Sequence, residues 1–267
     1  MTNLYFCDKI IFMSEQSLDL KQQIDSIQLE MRYKMLSSQI NPHFLFNTLE
    51  TIRMKALSSG DKEVATMLRI LASLLRYNLS VEGKPVPLIK ELEAIQNYLN
   101  IQHFRFGERV SYDIATTCDV QNIMILPLLI QPIVENSFLH GLENRVSGGF
   151  IYIFITQDSK NSDDILITVK DNGCGMDEEQ IKALTQKMNV TDPLNSAQTS
   201  GVHNSTDESD SSKASIGMAN VNSRIKLFYG PEYGITIQSE PGEGTSVILK
   251  IRNIHENTGV EAANGLS

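Results

Sequence analysis

Tryptophan is absent from this chain, and cysteine is scarce: only Cys7, Cys118 and Cys174 are present. The three cysteines lie far apart and form no CxxC pair, so the sequence offers no zinc site and fits a reducing compartment. Long apolar runs are also missing, since none approaches the roughly 18 residues of a membrane-spanning helix. These absences lead us to expect a chain in the cytoplasm.

The chain also lacks an excess of positive charge. Lysine and arginine number 23 against 32 aspartates and glutamates, which gives a net charge of -9 and a pI near 5.1. A nucleic-acid surface needs clustered basic residues, so we expect no nucleic-acid partner. The apolar fraction of 41% is that of a globular protein, and 267 residues suffice for one or two domains.

One histidine stands in an unusual setting, the stretch QINPHFLFNTLE at residues 39–50. His43 follows Pro42 directly, and helical spacing places Asn47 and Glu50 on its side of the helix. A proline inside a helix disrupts the backbone, so we expect a kink or π-type irregularity that turns the imidazole outward. Taken alone, the stretch is better explained as a kinked amphipathic helix with an ordinary surface histidine.

The segments around this stretch read as helices. Residues 14–41 carry apolar side chains at alternating four- and three-residue steps, as in a dimerising coiled coil or a plain surface helix. SSGD at 58–61 breaks the helix, and a second amphipathic stretch follows at 64–75. Two antiparallel helices expose an apolar face that a second copy would cover in a four-helix bundle. We therefore predict a homodimer.

Beyond residue 84 strands and helices mix. Another helix is predicted from Glu91, and period-two alternation is clearest at two of the predicted strands. The strands cover 110–115, 150–156, 165–170, 235–239 and 246–251, and the helices cover 128–140, 178–187 and 216–229. The polar stretch 189–214 cannot bury enough surface to fold alone. The fold class predicted for the chain is α+β.

Three short stretches in this second half carry groups that suit a nucleotide. In IVENSFLHG, Glu135, Asn136 and His140 lie within little more than one helical turn. Carboxylate and amide oxygens are hard ligands, and a nucleotide-bound Mg²⁺ takes only one or two of them while keeping its waters. An Asn and a Glu on the solvent face of an ordinary helix are the structural alternative.

The second stretch is VKDNGCGM. Asp171 ends a strand, and Gly173 and Gly175 let the backbone turn sharply and approach a ligand closely. A single carboxylate in this position can accept the exocyclic amine of adenine. A bare Asp-Asn-Gly is more often only a turn.

The third stretch is SIGMANVNSRIKLFYG. We expect Gly217 to precede a helix whose free N–H groups face phosphate, with Asn220 and Arg224 one turn apart on it. Those two side chains either reach a triphosphate or are solvated. Thr245 in GEGTSV follows where the last strand begins.

Together, in this order and with a flexible segment between the second and third, the stretches resemble the nucleotide-binding domain of the GHKL ATPase superfamily. Joined to residues 39–50, they resemble two-component sensor histidine kinases of the LytS and YesM type over residues 36–251. The resemblance implies a helical-hairpin dimerisation region followed by a GHKL (Bergerat) α/β sandwich, whose mixed, mainly antiparallel sheet packs on helices.

By this resemblance, His43 is the phosphoaccepting histidine, Asn136 the Mg²⁺ ligand, and Asp171 the carboxylate that reads adenine, supported by Thr245 through a water. The candidate catalytic residues are His43, Glu135 and Asn47. The candidate ATP-binding residues are Asn136, His140, Asp171, Gly173, Gly175, Gly217, Asn220, Arg224 and Thr245.

The resemblance also implies an activity and partners. The chain would autophosphorylate from ATP with Mg²⁺ and pass the phosphoryl group to an aspartate on a response regulator receiver domain. A membrane connection is expected only through a sensor region absent from this chain. The predicted parts are an extension at 1–13, coiled-coil and dimerisation helices at 14–84, the ATP-binding domain at 85–253 with its lid at 189–214, and a mobile tail at 254–267.

Two positions depart from the family pattern. Ser215 stands where a glycine is common, and Leu139 where a lysine is frequent. They leave open a non-catalytic dimeric scaffold with weak or no nucleotide binding. A further alternative, an ATPase that hydrolyses with Glu135 as its base, leaves residues 39–50 unexplained.

Overall fold

The computed structural model describes residues 42–80, 83–143, 145–190 and 210–254, without the side chains of 189–190 and 210–216. The predicted extension, the coiled coil at 14–41, most of the lid and nearly all of the tail lie outside these residues. The kink expected at Pro42 depends on residues before it and also lies outside them. These expectations, and the domain boundaries, stay predictions.

Six helices and seven strands make up the described chain. The helices are α1 (Pro42–Ser58), α2 (Lys62–Ser80), α3 (Leu88–Phe106), α4 (Gln131–Asn136), α5 (Glu178–Val190) and α6 (Asp210–Tyr229). The strands are β1 (Val86–Pro87), β2 (Val110–Thr116), β3 (Met124–Ile125), β4 (Gly149–Asp158), β5 (Asn161–Asp171), β6 (Gly234–Glu240) and β7 (Gly244–Arg252). A 3₁₀ turn (Gly107–Arg109) follows α3, and a π-helix (Ser137–Leu142) follows α4.

The helical hairpin turns where the sequence predicts. Gly60 adopts φ +83°, a left-handed conformation that suits glycine at a helix end. The N–H of Asp61 then donates to the carbonyl of Ala56 at 2.9 Å. Asp61 also caps α2, because its Oδ1 accepts from the N–H of Val64 at 3.0 Å. The two helices therefore run antiparallel across a tight turn.

The sheet is mixed and mainly antiparallel, as expected. Its order is β2-β4-β5-β7-β6, in which β2 and β4 pair in parallel and the other neighbours are antiparallel. A second sheet pairs β1 with β3. It was not predicted, because two residues per strand are too few to show a periodicity.

Alternating residues of the central strands build the core. Ile151, Ile153 and Ile155 of β4 are fully buried, since successive side chains in a strand point to opposite faces. Each such side chain stabilises the fold by roughly 1.5–3 kcal/mol. The buried faces of β5 and β7 continue this layer beneath α3, α4, the π-helix and α6. This packing fixes the strand ends that carry the site.

The helix expected at 128–140 differs from the prediction in two ways. It begins at Gln131, because Leu128 adopts φ +56° and cannot continue a right-handed helix. After Asn136 it widens into the π-helix, in which the N–H of Glu143 donates to the carbonyl of Phe138 at 2.9 Å. Such widened turns occur frequently at functional sites.

Within the residues that the structure describes, no helix is both long enough and apolar enough to cross a membrane.

Candidate functional site

Asp171 lies at the carboxyl end of β5 and is only 3% exposed. Its Oδ1 accepts the backbone N–H of Gly173 at 2.9 Å and that of Thr245 at 3.2 Å. Burial raises the pKa of the Asp171 carboxyl above its ordinary value, while hydrogen bonds from Gly173, Ser137 and Thr245 oppose that rise. The structure thus holds one buried carboxylate at the strand end, where the sequence predicts the adenine-binding group.

The glycines after Asp171 are required by close packing of the backbone. A Cβ on Gly173 would lie 2.4 Å from the Cα of Gly141, and one on Gly175 would lie 1.9 Å from the carbonyl oxygen of Glu240. Real Cβ atoms do not approach other atoms so closely. Both predicted glycines therefore shape the loop by bringing it against the π-helix and the β6–β7 turn.

Two further glycines of this site were missed in the sequence. Gly141 lies against Asp171, since a Cβ there would be 3.0 Å from its Oδ1. Gly244 adopts φ +107°, and a Cβ there would lie 2.1 Å from the carbonyl oxygen of Asp171. Both glycines stand beside residues that had been singled out, His140 and Thr245, so a count of the glycines within each stretch could have found them.

Thr245 supports Asp171 directly through its backbone. The two residues are register partners in β5 and β7, and the hydrogen bond comes from the N–H of Thr245. Its hydroxyl lies 3.0 Å from the hydroxyl of Ser239, which donates to the carbonyl of Gly244. The water-mediated role implied by the resemblance stays a prediction.

Asn136 and His140 carry buried polar atoms without a partner. Among the described residues, Nδ2 of Asn136 and Nε2 of His140 find no hydrogen-bond acceptor or donor. Nδ2 of Asn136 lies near α6, 3.8 Å from the place of a Cβ on Gly217. Unpaired buried polar groups are uncommon and call for an explanation such as an ion or a ligand. The pair therefore fits a site for a Mg²⁺-bearing phosphate group.

Glu135 contacts its own helix and lies near Tyr98 of α3. Its Oε1 accepts from Nε2 of Gln131 at 2.8 Å. Burial raises the pKa of Tyr98 on α3, and the nearby negative charge of Glu135 raises it further. Neither contact assigns Glu135 a chemical step, so its place among the candidate catalytic residues stays a prediction.

Helix α6 corrects the expectation for Gly217. The helix begins at Asp210 and not at Ile216, so Gly217 lies more than one turn inside it. Only the first four N–H groups of a helix are free of partners within the helix. Gly217 lies beyond them, so it does not precede free N–H groups that could face phosphate, as the sequence predicted. The polar composition of this region predicts exposure, but it does not prevent helix formation. The side chain of Ser215 lies outside the described residues.

The two other predicted residues of α6 differ from each other. Asn220 is exposed, whereas Arg224 is half-buried. The Arg224 guanidinium donates to the carbonyl of Pro127 at 2.8 Å and to that of Leu128 at 3.1 Å. Its described contacts hold the loop before α4, which favours a structural role over a phosphate contact. Leu139, at the position of the frequent lysine, is 43% exposed.

His43 is exposed on α1, and so are Asn47 and Glu50 on the same side. Nδ2 of Asn47 lies 3.3 Å from both ring nitrogens of His43, so the amide stands beside the imidazole edge between them. Glu50 instead pairs with Arg53 at 2.5 and 2.8 Å. The hydrogen bond from Arg53 lowers the pKa of Glu50. Asn47 is therefore the described polar neighbour of the histidine.

Two family models match the chain. The model described as histidine kinase matches residues 31–110, which include α1, α2 and α3. The model described as histidine kinase-, DNA gyrase B-, and HSP90-like ATPase matches residues 123–254, which include Asn136, Asp171 and Thr245. The two models match successive parts of the chain.

Curated relatives match across most of this sequence. Sensor histidine kinase YesM of Bacillus subtilis is 32% identical over 83% of this chain and 33% of its own length. Sensor protein LytS of Oceanobacillus iheyensis is 34% identical over 84% of this chain and 35% of its own length. The chain therefore spans about a third of these two proteins.

For a third relative, the similarity covers most of this chain and also most of the relative. The uncharacterized protein YwpD of Bacillus subtilis is 32% identical over 86% of this chain and 72% of its own length. The chain belongs to the histidine kinase family and joins a helical hairpin to an ATPase domain of the histidine kinase, gyrase B and HSP90 type.

Proposed function

We propose that this chain is an ATP-dependent protein-histidine kinase that phosphorylates its own His43. The observation that carries the proposal is the exposed His43 on one end of a chain whose ATPase domain holds the buried carboxylate of Asp171. A bond forms between an imidazole nitrogen and the γ-phosphorus of ATP, the bond to the bridging oxygen breaks, and ADP leaves. The N–H proton of the imidazole passes to solvent.

The residues of the chain would do the positioning, which supplies much of the catalysis in phosphoryl transfer. Asp171 would accept the adenine amine, because a buried carboxylate already held by two backbone N–H groups has a fixed orientation. Asn47 would orient the ring of His43 through the amide that lies beside it. This mechanism assigns no step to Glu135.

The donor set fits Mg²⁺, with Asn136 as the protein ligand. Mg²⁺ typically takes one or two protein oxygens together with substrate phosphates, so the side-chain oxygen of Asn136 would be its ligand. Nδ2 of Asn136, which has no partner among the described residues, would then donate to a phosphate oxygen. When bound, Mg²⁺ neutralises charge on the phosphates. His140, one turn later and also with an unpaired nitrogen, would stand near the phosphate end.

The product would serve two-component signalling. The phosphohistidine would pass its phosphoryl group to an aspartate on the receiver domain of a response regulator. The chain is similar to a protein named sensor histidine kinase YesM, which supports this role. The chain would act as a homodimer through its hairpin.

The test is autophosphorylation of the purified chain with Mg²⁺ and γ-labelled ATP. We expect a phosphoryl group that is labile to acid and stable to alkali, as for a phosphorus–nitrogen bond. His43→Ala should abolish the label. His103→Ala is the matched control, because His103 is also an exposed helical histidine, and its Nδ1 contacts the carbonyl of Val110 at 3.0 Å.

Three outcomes would contradict the proposal. Equal labelling of the two variants would exclude His43 as the acceptor. Release of free phosphate without a labelled protein would indicate a hydrolase. Absence of both labelling and ATP binding would indicate a non-catalytic scaffold.

A further inference from the structure

Glu91 is a fully buried carboxylate that the mechanism above does not use. It lies in the first turn of α3 and has no exposed surface. Its Oε2 accepts the N–H of Leu128 at 2.9 Å, and its Oε1 accepts the N–H of Ile130 at 3.1 Å. A buried carboxyl group is tolerated only when it is hydrogen-bonded, so both contacts are needed to keep Glu91 in the core.

The loop that Glu91 holds leads directly into the candidate site. Residues 126–130 precede α4, whose last residue is Asn136. Arg224 of α6 binds carbonyls of this loop, and the hydroxyl of Tyr229 accepts the N–H of Leu126 at 2.9 Å. The loop is thus fixed from both sides, and the left-handed backbone of Leu128 is held in place by these contacts.

A further contact to Glu91 comes from the hairpin. The hydroxyl of Tyr77, three residues before the end of α2, donates to Oε2 of Glu91 at 2.5 Å. The oxygen that receives it also accepts the N–H of Leu128. Oε2 of Glu91 therefore links the helical hairpin, which contains His43, to the loop that leads into α4.

We propose that Tyr77 is a positioning residue for phosphoryl transfer, which sets the hairpin relative to the ATP site through Glu91. The inference rests on the proposed function, and it names a hairpin residue that affects the rate of autophosphorylation. Loss of the hydroxyl leaves Glu91 with its two backbone donors, so the loop and the nucleotide pocket stay intact. The hairpin loses its hydrogen bond to Glu91 and, through it, to the loop before α4.

Tyr77→Phe tests this inference, because it removes only the hydroxyl. We expect kcat for autophosphorylation to fall about ten- to a hundredfold, since small misplacements of reacting groups reduce rates by such factors. KM for ATP, and the affinity for a fluorescent ATP analogue, should stay as in the wild type. A purely structural role would not separate kcat from nucleotide binding in this way.

Tyr112→Phe is the matched control. Tyr112 is also half-buried and donates a hydrogen bond of 2.5 Å, to Oδ1 of Asn100, but both residues lie within the part that follows the hairpin. This variant should keep the wild-type kcat. Its loss of thermal stability should be similar to that of Tyr77→Phe. A Tyr77→Phe variant with unchanged kcat, or with kcat and ATP affinity reduced together, would overturn the inference.

Failure of the proposed function gives a different result. A wild-type chain that binds the analogue but never becomes labelled would overturn the kinase assignment, and the role of Tyr77 with it. A labelled wild type combined with an unaffected Tyr77→Phe variant would overturn only the positioning role.

Discussion

The buried carboxylate of Asp171 shows how a binding residue can oppose folding. Taking an ionised carboxylate out of water is unfavourable, and the hydrogen bonds from Gly173, Ser137 and Thr245 compensate only in part, because the net pKa of Asp171 is still raised. A ligand amine aimed at the same group would supply a further hydrogen bond. The position of Asp171 therefore suits the proposed adenine contact more than the stability of the ligand-free chain.

This arrangement gives a pH-dependent prediction for Asp171→Asn without nucleotide. Because the folded-state pKa is raised, the folded wild type binds more protons than the unfolded chain between the ordinary and the raised value. The wild type therefore loses stability as the pH rises through the folded pKa, and the amide variant, which does not titrate, is spared that loss. The stability of the variant relative to the wild type should therefore be greater at neutral pH than in acid.

The measurement is the free energy of unfolding of both proteins by urea, from about pH 7.5 down to about pH 4.5. The stability of the variant relative to the wild type should decrease steadily as the pH is lowered. A relative stability that is independent of pH, or that increases toward acid, would show that Asp171 has no raised pKa in the folded chain.

At the scale of elements, the loop after β5 is pressed against the β6–β7 turn. Gly175 lies in the loop and Gly242 in the turn, and both have left-handed backbones, with φ +66° and +81°. The N–H of Gly242 donates to the carbonyl of Cys174 at 2.7 Å. A Cβ on Gly175 would meet the carbonyl oxygen of Glu240. A Cβ on Gly242 would have no atom within 4 Å.

Gly175→Ala should therefore destabilise the chain more than Gly242→Ala does. Both variants incur the cost of a left-handed alanine, roughly 1–2 kcal/mol. The Gly175 variant must also move the loop away from the carbonyl of Glu240, which adds about 1–3 kcal/mol. Urea unfolding of the two variants measures the difference, and equal losses would show that the contact yields without cost.

Patterns within short segments made part of this fold predictable. The alternation in β4 and β5 located both strands, and a carboxylate followed by spaced glycines located the end of β5. The π-helix and the start of α4 were not predictable, because the conformation of Leu128 depends on Glu91 and Arg224, which lie far away in the sequence.

The burial of Glu91 did leave a trace in the sequence. It lies three residues after Leu88 and four before Ile95, on the apolar side of α3. That spacing indicates a buried carboxylate. Its partners could not be inferred, since Tyr77 and Leu128 lie 14 and 37 residues away and only the folded chain brings them together.

On the scale of the whole molecule, the hairpin exposes more apolar surface than two helices can cover. Large apolar side chains on it are 38–66% exposed: Phe44, Ile52, Met54, Leu57 and Val64. A two-helix hairpin buries such a face by packing against another pair of helices. A second copy of the chain supplies that pair in the homodimer proposed above.

Ile52→Glu tests the dimer, because a carboxylate introduced at a helix interface would be buried without a partner. We expect the dimer to dissociate at least about thirtyfold more readily, since an unpaired buried charge costs more than 2 kcal/mol. Thr51→Glu is the control, as it places the same charge on the neighbouring exposed residue. Sedimentation over a range of concentrations should show a monomer for Ile52→Glu where the wild type and the control remain dimeric. A dimer unaffected by Ile52→Glu, with helical content unchanged, would exclude this face of α1 from the interface.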